Sequence, residues 1–273
     1  MIVAALQYNA KDNINENIAC ASALITKAAK AGARLICLPE CANFLAKNKN
    51  SLFANAETEQ DSAFLKMAQT QARAHNCYLS LGSLMISQNA PVDGDNRIAN
   101  RHYIIAPTGA ITARYDKIHM FDAQLGDGKS YKESANFRPG IEPVMTQIDG
   151  LKAGLSICYD IRFAGLFHHY AAQSADLILT PAAFTATTGA AHWHVLQRAR
   201  AIETGAFIIA AAQMGTHDDG RQTYGHALII DPWGEVLDDA GATGDMAIAE
   251  IDSARITTSR QALSAWQSQT HFK

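Results

Sequence analysis

The chain has 273 residues, 48% hydrophobic and 18% charged, enough to bury a large core in one α/β domain read as spanning residues 1–273. A formal net charge of -3 with no Lys/Arg cluster argues against a surface that tracks phosphates, so no nucleic-acid partner is expected. No apolar run is long enough to cross a membrane, MIVAALQYNA lacks the basic start of a signal peptide, and five cysteines without a CxxC pair fit a reducing, cytoplasmic compartment.

In chain order, IVAALQYN reads as a strand, and Ile14 to Ala31 as a helix with Asn13 as its N-cap and Gly32 as its stop. ARLICLPE is a second strand, followed by a loop, a helix near Ser62 to His75 and the strand CYLSLGSLMIS. QNAPVDGDN reads as a loop, and RHYIIAPTGAITARY as a hairpin turning at Pro107-Thr108-Gly109. The polar stretch DAQLGDGKSYKESANFRPGIEP, with its Gly and Pro, is a long connection of the kind that is functional or disordered. LKAGLSIC then runs apolar without alternation, as a strand covered on both faces does, and it delivers Cys158 to the edge of a sheet. AGLFHHYAAQSA reads as a helix, ADLILTPA as a strand, and Phe184 to Gly189 as a small-residue loop entering a long helix through Ile202. AFIIAAAQ and LIIDPWGE close the pattern with a strand and a hairpin.

This order occurs twice. IVAALQYN answers to KAGLSICYD, ARLICLPE to ADLILTPA, CYLSLGSL to AFIIAAAQ, and YIIAPTGA to LIIDPWGE. Each half is strand, helix, strand, helix, strand, hairpin. Two half-sheets with helices on one side each can bury their bare faces only against each other, which predicts a four-layer α-β-β-α sandwich. The functional site is then expected where strand ends of both halves meet.

A thiol at a strand end is by itself an ordinary buried cysteine, because reactivity needs a basic or electropositive neighbourhood. Strand ends and loops offer candidates for that neighbourhood. Glu40 ends ARLICLPE just past Pro39, which removes a ladder donor; Lys117 lies in ARYDKIHMFD; Glu133 lies in the long connection. Spacing alone leaves each of them open to being a solvated side chain.

Together these phrases resemble the carbon–nitrogen hydrolases of the nitrilase superfamily, whose members carry a Glu in an LPE-type phrase, a Lys in YxKxHLF and a Cys in CYDxRF. Here the matching phrases are LPE with Glu40, YDKIHMF with Lys117 and CYDIRF with Cys158, and Glu133 in YKESANFRPG matches a second family Glu. The resemblance covers essentially the whole chain. It implies the four-layer fold, a homodimer joined through the helix after the cysteine, no cofactor, and hydrolysis of a small-molecule amide through a thioester. In that scheme Cys158 is the nucleophile and Glu40 the base and later the acid. Lys117 and the backbone N–H of Tyr159 would stabilise the oxyanion, while Glu133 holds Lys117 or the substrate amide. Two departures stand out: Ala164 replaces the usual Pro after RF, and Asp116 occupies a position that is basic in many relatives.

AHWHVLQRARAIET, GTHDDGRQTYGH and DPWG resemble the branch that hydrolyses deaminated glutathione to 2-oxoglutarate and cysteinylglycine. Omega-amidases acting on 2-oxoglutaramate, nitrilases, and a non-catalytic binding protein on the same fold are the alternatives. Phe184, Thr185 and Thr188 are candidate pocket-lining residues at a strand end, and Arg138 and Arg221 candidate anchors for a substrate carboxylate, with Lys129 and Lys132 nearby. His168-His169 and His192-Trp193-His194 lack HExxH or zinc-cage spacing, so no metal site is expected. Phe163, Leu166, Phe167 and Tyr170 recur at three- and four-residue spacing on the helix after Cys158, and the expected dimer contact falls there.

Overall fold

A computed structural model describes residues 1–88, 94–124 and 130–267; Lys129 and the middle of the QNAPVDGDN loop lie outside the described residues. The first half contains β1 (Ile2–Tyr8), α1 (Ile14–Lys30), β2 (Leu35–Leu38), α2 (Lys49–Asn55), β3 (Glu57–Thr58), α3 (Ala63–His75), β4 (Tyr78–Ser87), β5 (Ala99–Ile105) and β6 (Ile111–Asp116). Short polar side chains mark where the helices begin. Asn13 accepts from the N–H groups of Asn15 and Glu16 to start α1, and Ser62 accepts from that of Leu65 to start α3. Asn76 ends α3 in the left-handed conformation. Gly109, at φ +79°, donates its N–H to the Ala106 carbonyl at 2.8 Å and closes the β5–β6 hairpin where Pro107-Thr108-Gly109 predicts it.

The rest of the chain adds β7 (Asp122–Gln124), β8 (Ser130–Lys132), β9 (Met145–Ile148), β10 (Leu151–Leu155), α4 (Ala164–Ala172), β11 (Leu177–Leu179), α5 (Ala186–Thr204) and β12 (Phe207–Ala210). After these come β13 (Ala212–Thr216), β14 (Gln222–Tyr224), β15 (Leu228–Ile230), β16 (Val236–Asp239), β17 (Met246–Glu250) and α6 (Ser253–Ala262). One sheet follows the order β14-β13-β1-β2-β4-β5-β6, with β17 also on β1 and β3 on β4; a second runs β16-β15-β12-β11-β10-β9.

Period-two geometry explains how wholly apolar strands serve two cores. Val3 and Ala5 of β1 and Leu35 and Cys37 of β2 join a core shared with β10, β11 and β12, whereas Ala4, Leu6, Ile36 and Leu38 share another with Ile25 of α1 and Phe64 of α3. The sheets therefore stack face to face, with α1 and α3 outside one and α4 and α5 outside the other. This is the four-layer sandwich expected from the repeat.

Three particulars differ from the sequence expectation. AFIIAAAQ is not one strand: it breaks at Ala211, so that Phe207–Ala210 pairs in the second sheet while Ala212–Thr216 pairs with β1 in the first. β17, from the second half, also pairs antiparallel with β1 over Ile2 to Leu6. The second half thus lends β13, β14 and β17 to the first sheet, and the open side of β1 is covered along its length, which removes an exposed edge. Finally, Leu166, Phe167 and Tyr170 of α4 are buried against the second sheet, and Phe163 alone of the four is exposed, at 37%. An apolar stripe at helical spacing serves core and contact surface equally well.

Candidate active site

Strands β2, β5 and β6 of the first sheet and β10 and β11 of the second carry the site. β2 ends at Leu38, and Pro39 then passes to Glu40, whose side chain turns into the space between the sheets with its residue only 4% exposed. β10 ends at Leu155, and the chain reaches Cys158 three residues later at φ +48°, at the start of a 3-10 turn running to Arg162. A left-handed non-glycine residue is strained and persists where surrounding bonds over-determine it. Those bonds are present. The Cys158 N–H donates to the Pro181 carbonyl at 2.8 Å, and Asp160 anchors the turn from below. The fully buried Asp160 carboxylate accepts from the Ile157 N–H at 2.8 Å, the Tyr115 hydroxyl at 2.7 Å and the His119 N–H at 3.0 Å. The thiol turn is thereby fixed to β6 and the segment that follows it.

That same segment supplies Lys117, 2% exposed, whose Nζ lies 2.9 Å from Glu40 Oε1 and 2.9 Å from both carboxylate oxygens of Glu133. Asn100 on β5 donates to Glu40 Oε1 at 2.9 Å and to Glu133 Oε1 at 3.3 Å. The other Glu40 oxygen accepts from the Ala183 N–H at 2.8 Å, and Glu133 Oε2 from the Phe121 N–H at 2.6 Å. Every oxygen of both carboxylates is therefore satisfied, as burial demands. The Cys158 thiol lines the same cavity as the Glu40 carboxylate, close enough for the charge of one to act on the other.

Charge state follows from this packing. Burial pushes the Glu40 carboxyl up, but the Lys117 charge, the hydrogen bonds from Lys117 and Asn100 and the nearby Cys158 thiol outweigh it, leaving Glu40 below its ordinary value. For Lys117 burial works against the ammonium, yet the carboxylates of Glu133 and Glu40 hold it well above the lysine range. Burial first, and then the Glu40 charge, push the Cys158 thiol up. At rest the site therefore holds a thiol, a carboxylate and an ammonium, and the nucleophile must lose its proton during attack.

Above these groups opens a cavity of about 340 Å³ lined in part by Phe184, Thr185, Thr188, Tyr131, Lys132 and Arg221. Tyr159 lines it too, with the Arg162 guanidinium 5.2 Å from the centre of the Phe184 ring and 5.8 Å from that of Tyr159. Arg221 is held to Asp219 at 3.1 Å and lies over the Tyr131 ring at 5.7 Å; its Nε has no hydrogen-bond partner among the described residues. Arg138 is not brought to the cavity. Its N–H is spent on the Ile98 carbonyl at 2.9 Å, which holds that stretch beside the start of β5, and its charge acts on Asp95. Asp116 pairs with Arg101 at 2.6 Å, and Ala164 begins α4 without a proline. Asn100 and Asp160 escape sequence reasoning, because an Asn inside a strand and an Asp beside a cysteine look like solvated residues. His194, His226 and Asp239, spaced closely enough to share a cation, are not among the residues lining the cavity.

The fold superposes on the crystal structure of the C. elegans NitFhit protein with a TM-score of 0.91 and 34% identity, covering 98% of this chain and 64% of that one. It also superposes on Saccharomyces cerevisiae Nit3, described as a member of branch 10 of the nitrilase superfamily, with a TM-score of 0.84 and 25% identity over 96% and 94% of the two chains. The architecture is that of the nitrilase superfamily. A model of the carbon–nitrogen hydrolase family matches residues 2–261, and the chain is 41% identical over 269 residues to the deaminated glutathione amidase of Synechocystis sp. (strain PCC 6803 / GT-S), covering 97% of each. The corresponding amidase of Dictyostelium discoideum is 36% identical, with 93% of this chain and 89% of that one covered. The chain belongs to the carbon–nitrogen hydrolase family.

Proposed function

We propose that this single-domain chain is an amidase that cleaves a small, non-peptide amide through a Cys158 thioester, with deaminated glutathione as its substrate. The observation that carries the reaction is the meeting of Cys158, Glu40 and Lys117 on one cavity, with Lys117 hydrogen-bonded to Glu40. Cys158 Sγ attacks the amide carbon while its proton passes to Glu40 Oε2 or Oε1, and the carbonyl oxygen becomes an oxyanion. Lys117 has three donors, of which Glu40 and Glu133 engage two, leaving one for that oxyanion together with the Tyr159 N–H. As negative charge grows on the substrate oxygen it draws on the Lys117 charge that had been holding Glu40 low. Glu40 becomes a stronger base when a base is needed. Collapse of the intermediate breaks the C–N bond, and Glu40 returns the proton to the leaving amine of cysteinylglycine. Water, deprotonated by Glu40, then hydrolyses the thioester and releases 2-oxoglutarate with a free thiol. Glu133 keeps Lys117 in register. Arg221 and Lys132, both on the cavity wall, suit the substrate's carboxylates.

The test is a panel of amides with product release measured. Expected is a higher kcat/KM for deaminated glutathione than for 2-oxoglutaramate, a selective loss for the longer substrate in Arg221→Ala, and no turnover in a folded Cys158→Ala protein. Preference for the short amide would move the reading to an omega-amidase. Turnover by Cys158→Ala would remove the thioester mechanism.

A second copy of the chain is the proposed partner. Phe163 after the cysteine turn and Val195 and Ile202 on α5, 68% and 51% exposed, are apolar side chains left facing outward on the helices of the second sheet. Sedimentation is expected to give a dimer; an active monomer at working concentration would contradict it.

A further inference from the structure

We propose that His194, His226 and Asp239 form a metal site, separate from the hydrolytic cavity, that takes a divalent transition ion of the zinc, cobalt or nickel type. The three come from different elements. His194 projects from α5, His226 lies in the turn before β15, and Asp239 ends β16. His194 Nε2 is 3.0 Å from Asp239 Oδ2, and His226 Nδ1 is 3.0 and 3.1 Å from the two Asp239 oxygens. All the ligand atoms fall within 4.8 Å of one another. An ion with bonds of about 2.0–2.2 Å to imidazole nitrogen and carboxylate oxygen needs its donors roughly 3 Å or a little more apart, so it fits among these atoms with small side-chain shifts. Two imidazoles and one carboxylate suit borderline cations rather than Mg²⁺ or Ca²⁺, whose ligands are oxygens.

The surroundings behave as a support for such a set. Asp239 Oδ1 also accepts the Gly241 N–H at 2.7 Å, and the His226 ring is stacked on Tyr224 with centroids 4.5 Å apart. His226 itself is held at φ +57°, with its N–H on the Gly241 carbonyl at 2.9 Å and its carbonyl accepting from Trp193 Nε1 at 2.7 Å. Ligand orientation fixed from behind is what a preorganised metal site requires. The two histidines are half-buried and Asp239 is exposed, so water can complete the coordination and the ion has an entry path. Without a metal the same atoms make a simpler network, in which each imidazole gives one N–H to the shared carboxylate. On binding a metal each imidazole would take its other tautomer, the proton moving to the second ring nitrogen so that a lone pair faces the ion.

Titration of the full, untagged chain with Co²⁺, followed by Zn²⁺ displacement, separates the two states. Expected is about one Co²⁺ per chain with a visible spectrum that has no thiolate-to-metal charge-transfer band, and a melting temperature that rises with Zn²⁺ concentration. His194→Gln, a change outside the residues that line the hydrolytic cavity, is expected to remove the binding and the melting shift while amide hydrolysis by metal-free protein stays unchanged. Asp239→Asn is expected to do the same. Absence of Co²⁺ binding in the wild type, equal binding in both variants, or a charge-transfer band that reports thiolate ligation would each overturn the proposal.

Discussion

Lys117 is the residue on which the electrostatics of the site turn. Its ammonium is buried between two carboxylates, and removing one partner from such a set costs far more than the set contributes, because the remaining charges are left in low dielectric. Lys117→Met is therefore expected to destabilise the fold by about 3–5 kcal/mol at neutral pH, in addition to ending turnover. The pH dependence of that loss is diagnostic. With the ammonium gone, burial acts on Glu40 against only the hydrogen bonds from Asn100 and the Ala183 N–H, and its folded-state pKa is expected to rise above the unfolded value of roughly 4.3, so that the native state keeps a proton that the unfolded chain gives up. Stability of the variant should recover as pH falls from 8 towards 5. Melting curves of wild type and variant across that range provide the check; a gap that stays constant with pH would mean that lost packing, not stranded charge, sets the cost.

At the scale of elements, the site depends on how closely β4 passes the ends of two other strands. Gly82 lies in the irregular part of β4 between Leu81 and Leu84, and a Cβ there would sit 2.2 Å from Pro181 Cβ and 2.5 Å from the Leu38 carbonyl oxygen. Those neighbours lead directly to Glu40 on one side and to Ala183 and the Cys158 acceptor on the other. Gly82→Ala should cost about 1–3 kcal/mol by overpacking, and misplacement of Glu40 against Cys158 should lower kcat by ~10-fold or more. Gly165→Ala in α4, where a Cβ meets nothing within 4 Å, is the control and should be neutral or slightly stabilising. Equal behaviour of the two variants in melting and turnover would refute the close-approach argument. Element identity was largely legible in the sequence, because Asn13, Ser62 and Gly109 impose local geometry that does not depend on the rest of the chain. Pairing was less so. The break at Ala211 and the return of β17 to β1 are decided by which sheet edge is uncovered, a long-range condition that leaves no local mark. The sequence of α2 looks like loop because KNSLFAN is a short segment with one buried residue, Leu52, and no apolar period. Glu40, Lys117, Glu133 and Cys158 could be picked out through family phrases, while Asn100 and Asp160 needed coordinates, since only distance shows what their polar atoms hold.

Across the whole molecule, His102 joins the two sheets at a point next to the thiol turn. It is fully buried on β5, with Nε2 2.7 Å from the Ser80 hydroxyl on β4 and Nδ1 3.2 Å from the Ser156 carbonyl, two residues before Cys158. Burial lowers its pKa to about 4, so at neutral pH it is an uncharged bridge across the sandwich. The sign of its contribution follows from linkage. Between the unfolded value of roughly 6.5 and the folded value of about 4, the unfolded chain binds a proton that the native state refuses, so stability falls as pH falls through that window. By pH 5 the loss from this residue should reach about 2 kcal/mol. His217, also lowered chiefly by burial, acts in the same direction, and the carboxylates held low, Glu40 and Glu59 among them, add their losses mainly below pH 5. Comparison with His102→Gln isolates the bridge, because the amide can still meet Ser80 and Ser156 but does not titrate. Urea unfolding at pH 7 and pH 5 should show the wild type losing about 2 kcal/mol more than the variant. If both proteins lose the same amount, His102 is not the group that couples acid to separation of the two sheets.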